Sequence, residues 1–120
     1  MPKFILVIDD DPVTSQLVKR TLQGKGYEVE TDQNGQDALE DLKKRKPDLI
    51  LLDVQMPTMD GYAFILEKNK IPDLASIPVI MLTSMKETAP LFKRHGVKAY
   101  LLKPLDSKNL LDKVQSILPT

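Results

Sequence analysis

An α/β fold with a mostly parallel sheet is predicted by three observations. Strand-like and helix-like stretches alternate five times along the 120 residues. Four of the strand-like runs, Phe4–Ile8, Leu49–Leu52, Val79–Leu82 and Tyr100–Leu102, are short and almost wholly apolar, as strands buried on both faces are. Each of these runs then ends in polar residues: Asp9 with Asp10, Asp53, Thr83 and Lys103. In an open parallel sheet the carboxyl ends all point one way, and ligands bind in the crevice beyond them. Such a sheet would gather three carboxylates, a hydroxyl and an ammonium that lie far apart in sequence.

The elements follow in order. Asp11-Pro12 opens a first helix, with proline in the first turn and a carboxylate at the positive helix end. Val13, Leu17, Val18 and Leu22 mark its inner face, and Gly24 with Gly26 ends it. Tyr27–Thr31 alternates, with Glu28 and Glu30 interleaved, so it reads as a strand near the sheet edge. Asn34-Gly35 is a turn; Ala38, Leu39 and Leu42 face the core from the second helix, which Pro47 ends. After Asp60-Gly61, a third helix over Tyr62–Lys70 is closed by Ile71-Pro72. A fourth helix must lie between Thr83 and Tyr100, where Pro90 sits in the middle and Gly96 at the end. Because proline inside a helix costs about 3 kcal/mol, this helix is expected to start near Thr88 or Ala89 and to be short. Ser107 caps the last helix, whose inner face is Leu110, Val114, Ile117 and Leu118.

Length and composition point to a single domain over residues 1–120. Seventeen basic residues balance seventeen acidic ones, which argues against a nucleic-acid or membrane surface. Cysteine is absent, so neither disulfides nor thiolate metal sites enter. No apolar run is long enough to span a bilayer, and Phe4–Ile8 runs into aspartates rather than a cleavage site. A soluble cytoplasmic protein is expected, with no output domain beyond the last helix.

The gathered side chains suggest a chemistry. Two carboxylates about 4 Å apart repel by roughly 4 kcal/mol at an effective dielectric near 20. Asp9, Asp10 and Asp53 together would therefore favour a divalent cation, and an all-oxygen set suits Mg²⁺ or Mn²⁺. A carboxylate beside such a cation can attack phosphorus and form an acyl phosphate. Lys103 would supply further charge neutralisation, and Thr83 a hydrogen bond to the phosphoryl oxygens. Asp11 reads as a helix cap, His95 as a helix-end residue, and Met56, Met59, Met81 and Met85 as packing.

These residues resemble the receiver domain of bacterial two-component response regulators, in its stand-alone, chemotaxis-regulator-like form. The matching stretches are Ile5–Pro12, Leu49–Pro57 with Asp60-Gly61, Ile77–Ser84 and Tyr100–Pro104, in order and spread over nearly the whole chain. The resemblance implies a flavodoxin-like, doubly wound five-stranded sheet of order 2-1-3-4-5 with five helices. It implies Asp53 as phosphoacceptor, Asp9, Asp10, Asp53 and the Gln55 backbone carbonyl around Mg²⁺, and Thr83 and Lys103 on the phosphoryl group. A cis Lys103–Pro104 bond, a Thr83–Tyr100 switch, and tuning of phosphoryl lifetime by Gln55 and Met85 are implied too. Such a domain assists its own phosphoryl transfer and dephosphorylation rather than acting as an enzyme on other molecules. Its partners would be a sensor histidine kinase or histidine phosphotransfer protein. A downstream protein would dock on the face formed by the fourth helix, fifth strand and fifth helix.

Two other readings exist. Asp9-Asp10-Asp11-Pro12-Val13 fits the D-x-D-x-[TV] motif of haloacid-dehalogenase-like phosphatases, with Asp9 as nucleophile, but leaves Met56-Pro57 and Asp60-Gly61 unexplained. A receiver-like module that binds without phosphorylation is opposed by intact Asp10, Asp53 and Lys103.

Overall fold

Apolar runs that must be buried on both faces find that environment in the middle of a layered sheet, and the chain builds one. In the computed structural model, residues 2–54, 61–84 and 96–119 are described. The elements are β1 (Phe4–Ile8), α1 (Pro12–Gln23), β2 (Glu28–Asp32), α2 (Gly35–Lys44), β3 (Leu49–Asp53), α3 (Gly61–Asn69), α4 (Pro72–Ala75), β4 (Val79–Thr83), β5 (Val97–Leu102) and α5 (Ser107–Ile117). The strands form one parallel sheet in the order β2-β1-β3-β4-β5, as the resemblance implied. The half-polar β2 lies at an edge, while β1, β3 and β4 are buried throughout. The predicted helix around Pro90, with His95, Met56, Met59 and Met85, lies outside the described residues.

Alternation sends successive side chains to opposite faces, so each strand feeds two cores. Leu6, Ile8, Ile50, Leu52, Val79 and Met81 pack with residues of α2, α3 and α4. Ile5, Val7, Leu49, Leu51, Ile80 and Leu82 pack on the other side with residues of α1 and α5. Met81 is core packing, as expected.

Four local expectations are corrected. Val13 is 76% exposed and Leu17 37%. The inner stripe of α1 is Ser15, Val18 and Leu22; at 100° per residue, positions 13 and 17 lie about 160° from Ser15 and so face solvent. Pro72 does not simply close the third helix: it is the first residue of α4, a single turn that buries Leu74, because proline lacks only an N–H that a first turn leaves unpaired. The cap of α5 is Asp106 rather than Ser107; its carboxylate accepts the Lys108 N–H at 3.2 Å. The Ser107 hydroxyl instead lies 3.4 Å from that of Thr21 on α1. Strand β5 also begins earlier than the apolar run suggested, at Val97 after Gly96, whose φ is +86°.

One buried charge stands apart from the sheet edge. Lys68, on the face of α3 that carries Phe64 and Ile65 inward, is fully buried. Its ammonium donates to the Ala75 carbonyl at 3.1 Å and to Asn69 Oδ1 at 3.2 Å. Burial pushes its pKa down from 10.5 to about 8. Between those values the unfolded chain holds a proton that the folded one has lost, so stability should rise as pH increases from about 8 to 10.5. Lys68→Met, similar in volume and uncharged, should be about 1–2 kcal/mol more stable at neutral pH and should lack that rise. Urea unfolding of both proteins from pH 7 to pH 10 checks this, and parallel pH curves would contradict it.

Candidate functional site

Register decides which strand ends meet. Ile8 lies level with Asp32 on one side and Leu52 on the other; Asp53 is level with Leu82, and Thr83 with Leu102. The residues following these positions therefore emerge at one edge of the sheet. The ladder continues one step past β1, β3 and β5. Asp9 N–H donates to Asp32 O at 3.0 Å, Val54 N–H to Leu82 O at 3.2 Å and Lys103 N–H to Thr83 O at 2.8 Å.

Asp9 is buried and held from several directions. Its Oδ1 accepts the Asp11 N–H at 2.9 Å, and its carbonyl accepts the Ser15 hydroxyl at 3.2 Å. Oδ2 is buried with no hydrogen-bond donor aligned on it, and the Lys103 ammonium lies 3.0 Å away as an ion pair. The same ammonium reaches Asp53 Oδ1 at 3.4 Å. One oxygen from each of Asp9, Asp10 and Asp53 lies within 4.8 Å of the others. Asp10 is exposed to the cleft and Asp53 is buried.

Among the described residues, three carboxylates and one ammonium leave a formal charge of −2 in this cluster. Burial alone would lower the Lys103 pKa. The contact and charge of Asp9, joined by Asp53, outweigh that and raise it above the ordinary value. The site thus fits a hard divalent cation on two grounds: the donors are all oxygen, and the described ammonium offsets only part of their charge.

The cleft has a volume of about 270 Å³ and is lined by Asp10, Asp53, Thr83, Ser84 and Lys103. The Lys103–Pro104 bond that follows the cleft lysine is cis. Beneath Asp53, the Gly61 N–H donates to Val54 O at 2.9 Å. A Cβ on Gly61 would stand 2.9 Å from Val54 Cα and 3.0 Å from Asp53 O, so glycine alone lets α3 start this close to β3.

The structure brings together Asp9, Asp10, Asp53, Thr83 and Lys103, all picked from sequence. Gln55 lies outside the described residues. Tyr100 is half-buried on β5 and packs against the core on the α2–α3 side. Asp11 caps α1, and the Thr14 hydroxyl and Val13 N–H hold its carboxyl below the usual range. Two residues went unnoticed. Ser15 shares the stripe of Val18 and Leu22, the one signal that it faces inward. Asp32 ends β2, and burial, together with the Asp41 carboxyl, raises its pKa to about 7.

Comparison with known proteins gives the same picture. The chain belongs to the response regulator receiver domain family, which it matches over residues 5–115. It is 33% identical to protein PilH of Pseudomonas aeruginosa, over 95% of this chain and 96% of PilH. Its fold resembles that of the chemotaxis response regulator CheY4 of Vibrio cholerae, with a TM-score of 0.93 and 34% identity over 98% of this chain and 100% of that one. A third match is the receiver domain of a Pseudomonas aeruginosa sensor histidine kinase, whose structure has a magnesium ion coordinated in the active-site cleft. Its TM-score is 0.88, with 25% identity over 100% of both chains. The chain spans about half the length of several further relatives described as transcriptional regulators. It is a phosphoacceptor receiver domain of two-component signalling, and nothing favours the phosphatase alternative.

Gly61→Ala should cost about 1–3 kcal/mol, because the obstructing atoms are backbone and cannot turn aside. It should also slow phosphoryl uptake by shifting the β3 end. Thermal unfolding and phosphorylation kinetics check the two halves; wild-type values for both would refute the close-packing argument.

Proposed function

We propose that Asp53 is the phosphoacceptor, that Asp9, Asp10 and Asp53 hold Mg²⁺ together with the Gln55 backbone carbonyl, and that Lys103 and Thr83 contact the phosphoryl group. The observation that carries this reading is the Lys103 ammonium set between Asp9 and Asp53 at the rim of an oxygen-lined cleft. Mn²⁺ would fit the same donors. The donor is a phosphohistidine of a sensor histidine kinase or histidine phosphotransfer protein.

An Asp53 carboxylate oxygen bonds to phosphorus as the phosphorus–nitrogen bond of the donor breaks, and the imidazole keeps the bonding pair. Bound Mg²⁺ supplies neutralisation of charge on the phosphoryl oxygens. Lys103 adds a positive charge to the same oxygens without moving, because Asp9 already fixes its ammonium. Water later attacks phosphorus, the bond to the Asp53 oxygen breaks, and inorganic phosphate leaves as the carboxylate is restored, with the side chains of Gln55 and Met85 tuning that step.

The Thr83 hydroxyl turns toward the new phosphoryl oxygens and leaves space behind it that Tyr100 enters. The altered face of β5 and α5, with the helix expected from sequence around Pro90, then binds a downstream protein rather than nucleic acid. A groove of about 730 Å³ between β5 and α5, lined in part by Tyr100, Leu102 and Asn109, supports a docking role. Cytoplasmic action fits the described residues, none of whose helices is long and apolar enough to cross a membrane.

Acetyl phosphate with Mg²⁺ should add one phosphoryl group per chain, and Asp53→Asn should abolish it. Intact-mass spectrometry reads the adduct; its persistence in Asp53→Asn would reject Asp53. Thr83→Ala should still accept phosphate, yet its Tyr100 ring resonances should stay unmoved on adding beryllofluoride. A wild-type shift of those resonances in Thr83→Ala would break the proposed relay.

A further inference from the structure

Metal ligands on flexible side chains work only when the backbone beneath them is fixed. Asp10 is the exposed member of the acidic cluster, and among the described residues its carboxylate makes no side-chain hydrogen bond. Its aim is therefore set by the peptide unit that joins it to Asp9. That unit is planar, so the Asp9 carbonyl and the Asp10 N–H turn together. Whatever holds the Asp9 carbonyl also fixes the N–Cα bond of Asp10, on which the aim of its side chain depends.

The group that holds it is the hydroxyl of Ser15, which donates to the Asp9 carbonyl at 3.2 Å in a buried setting. Ser15 is 6% exposed and lies on the stripe of α1 otherwise made of Val18 and Leu22. A hydroxyl there is costly unless bonded. Capping does not explain it, because Asp11 caps α1 and its carbonyl accepts the Ser15 N–H at 3.0 Å. The hydroxyl bypasses the helix's own carbonyls and reaches out to the turn between the two acids. Asp32 O takes the Asp9 N–H, Asp11 N–H holds Oδ1 and Lys103 faces Oδ2, which leaves Ser15 as the hold on the carbonyl side.

We propose that Ser15 is a positioning residue that sets the Mg²⁺-binding geometry of Asp9 and Asp10 by fixing the peptide plane between them. This rests on the assignment of those two aspartates as ligands. Removing the hydroxyl frees the plane and lowers metal affinity, while the phosphoryl chemistry at Asp53 remains intact once metal is saturating.

Calorimetric Mg²⁺ titration of wild type, Ser15→Ala, Ser15→Cys and Ser15→Thr tests this. Ala, and Cys with its weak donor, should lose about three- to tenfold in affinity, and Thr should stay within about twofold of wild type. Metal-free Ser15→Ala should unfold close to the wild-type temperature, since alanine suits a helix interior. With acetyl phosphate, its half-saturating Mg²⁺ concentration should rise while the rate at saturation matches wild type. Equal affinity of Ser15→Ala and wild type, or a Ser15→Thr as weak as Ser15→Ala, would overturn the role of Ser15 alone. A lowered rate at saturating Mg²⁺ with an unchanged half-point would do the same. Failure of the wild type itself to bind Mg²⁺ would overturn the ligand assignment beneath it.

Discussion

Like-charge crowding at the sheet edge is the constraint that the rest of the site answers. Parallel pairing in this register gives β1 and β3 no choice but to present Asp9, Asp10 and Asp53 together. Two of the three are buried, where repulsion is least screened. Among the described residues a single ammonium, brought over from the end of β5, pairs with both buried acids and leaves the cluster short of neutrality. A site in that condition favours a divalent cation, whose charge would offset the deficit.

Such a cluster needs a scaffold that does not yield. Two apolar layers supply it, one on each face of strands whose side chains are buried throughout. The backbone at the edge is then pinned by hydrogen bonds that continue the ladder past β1, β3 and β5. Asp32 shows how closely the edge strand shares in this. Its carbonyl holds Asp9, while burial and then the neighbouring Asp41 push its own carboxyl toward a neutral form near pH 7. Gly61 performs a similar service from below β3, by allowing α3 to begin against the backbone that carries Asp53.

Much of the fold was legible because its signals are local. Fully apolar runs of strand length mark buried strands, and proline, glycine and aspartate mark helix ends. The misreadings share a cause. Val13 and Leu17 are apolar and helically spaced, yet of the four residues read as the inner face of α1 only Val18 and Leu22 meet the sheet, because hydrophobicity alone made the stripe too wide. Pro72 and Ser107 each carry a signal valid at two neighbouring positions, and packing chose between them.

The sequence by itself determined the α/β class, the strand ends that carry chemistry, and the residue types that a phosphoacceptor site requires. Each of those follows from composition within a few residues. Only the tertiary structure decided that one lysine serves two aspartates, that Asp9 lies buried while Asp10 faces the cleft, and that a serine in α1 holds the turn between them. These depend on register and on which helix face meets the sheet. Both are set by the packing of the whole chain, and neither leaves a mark in any single stretch of it.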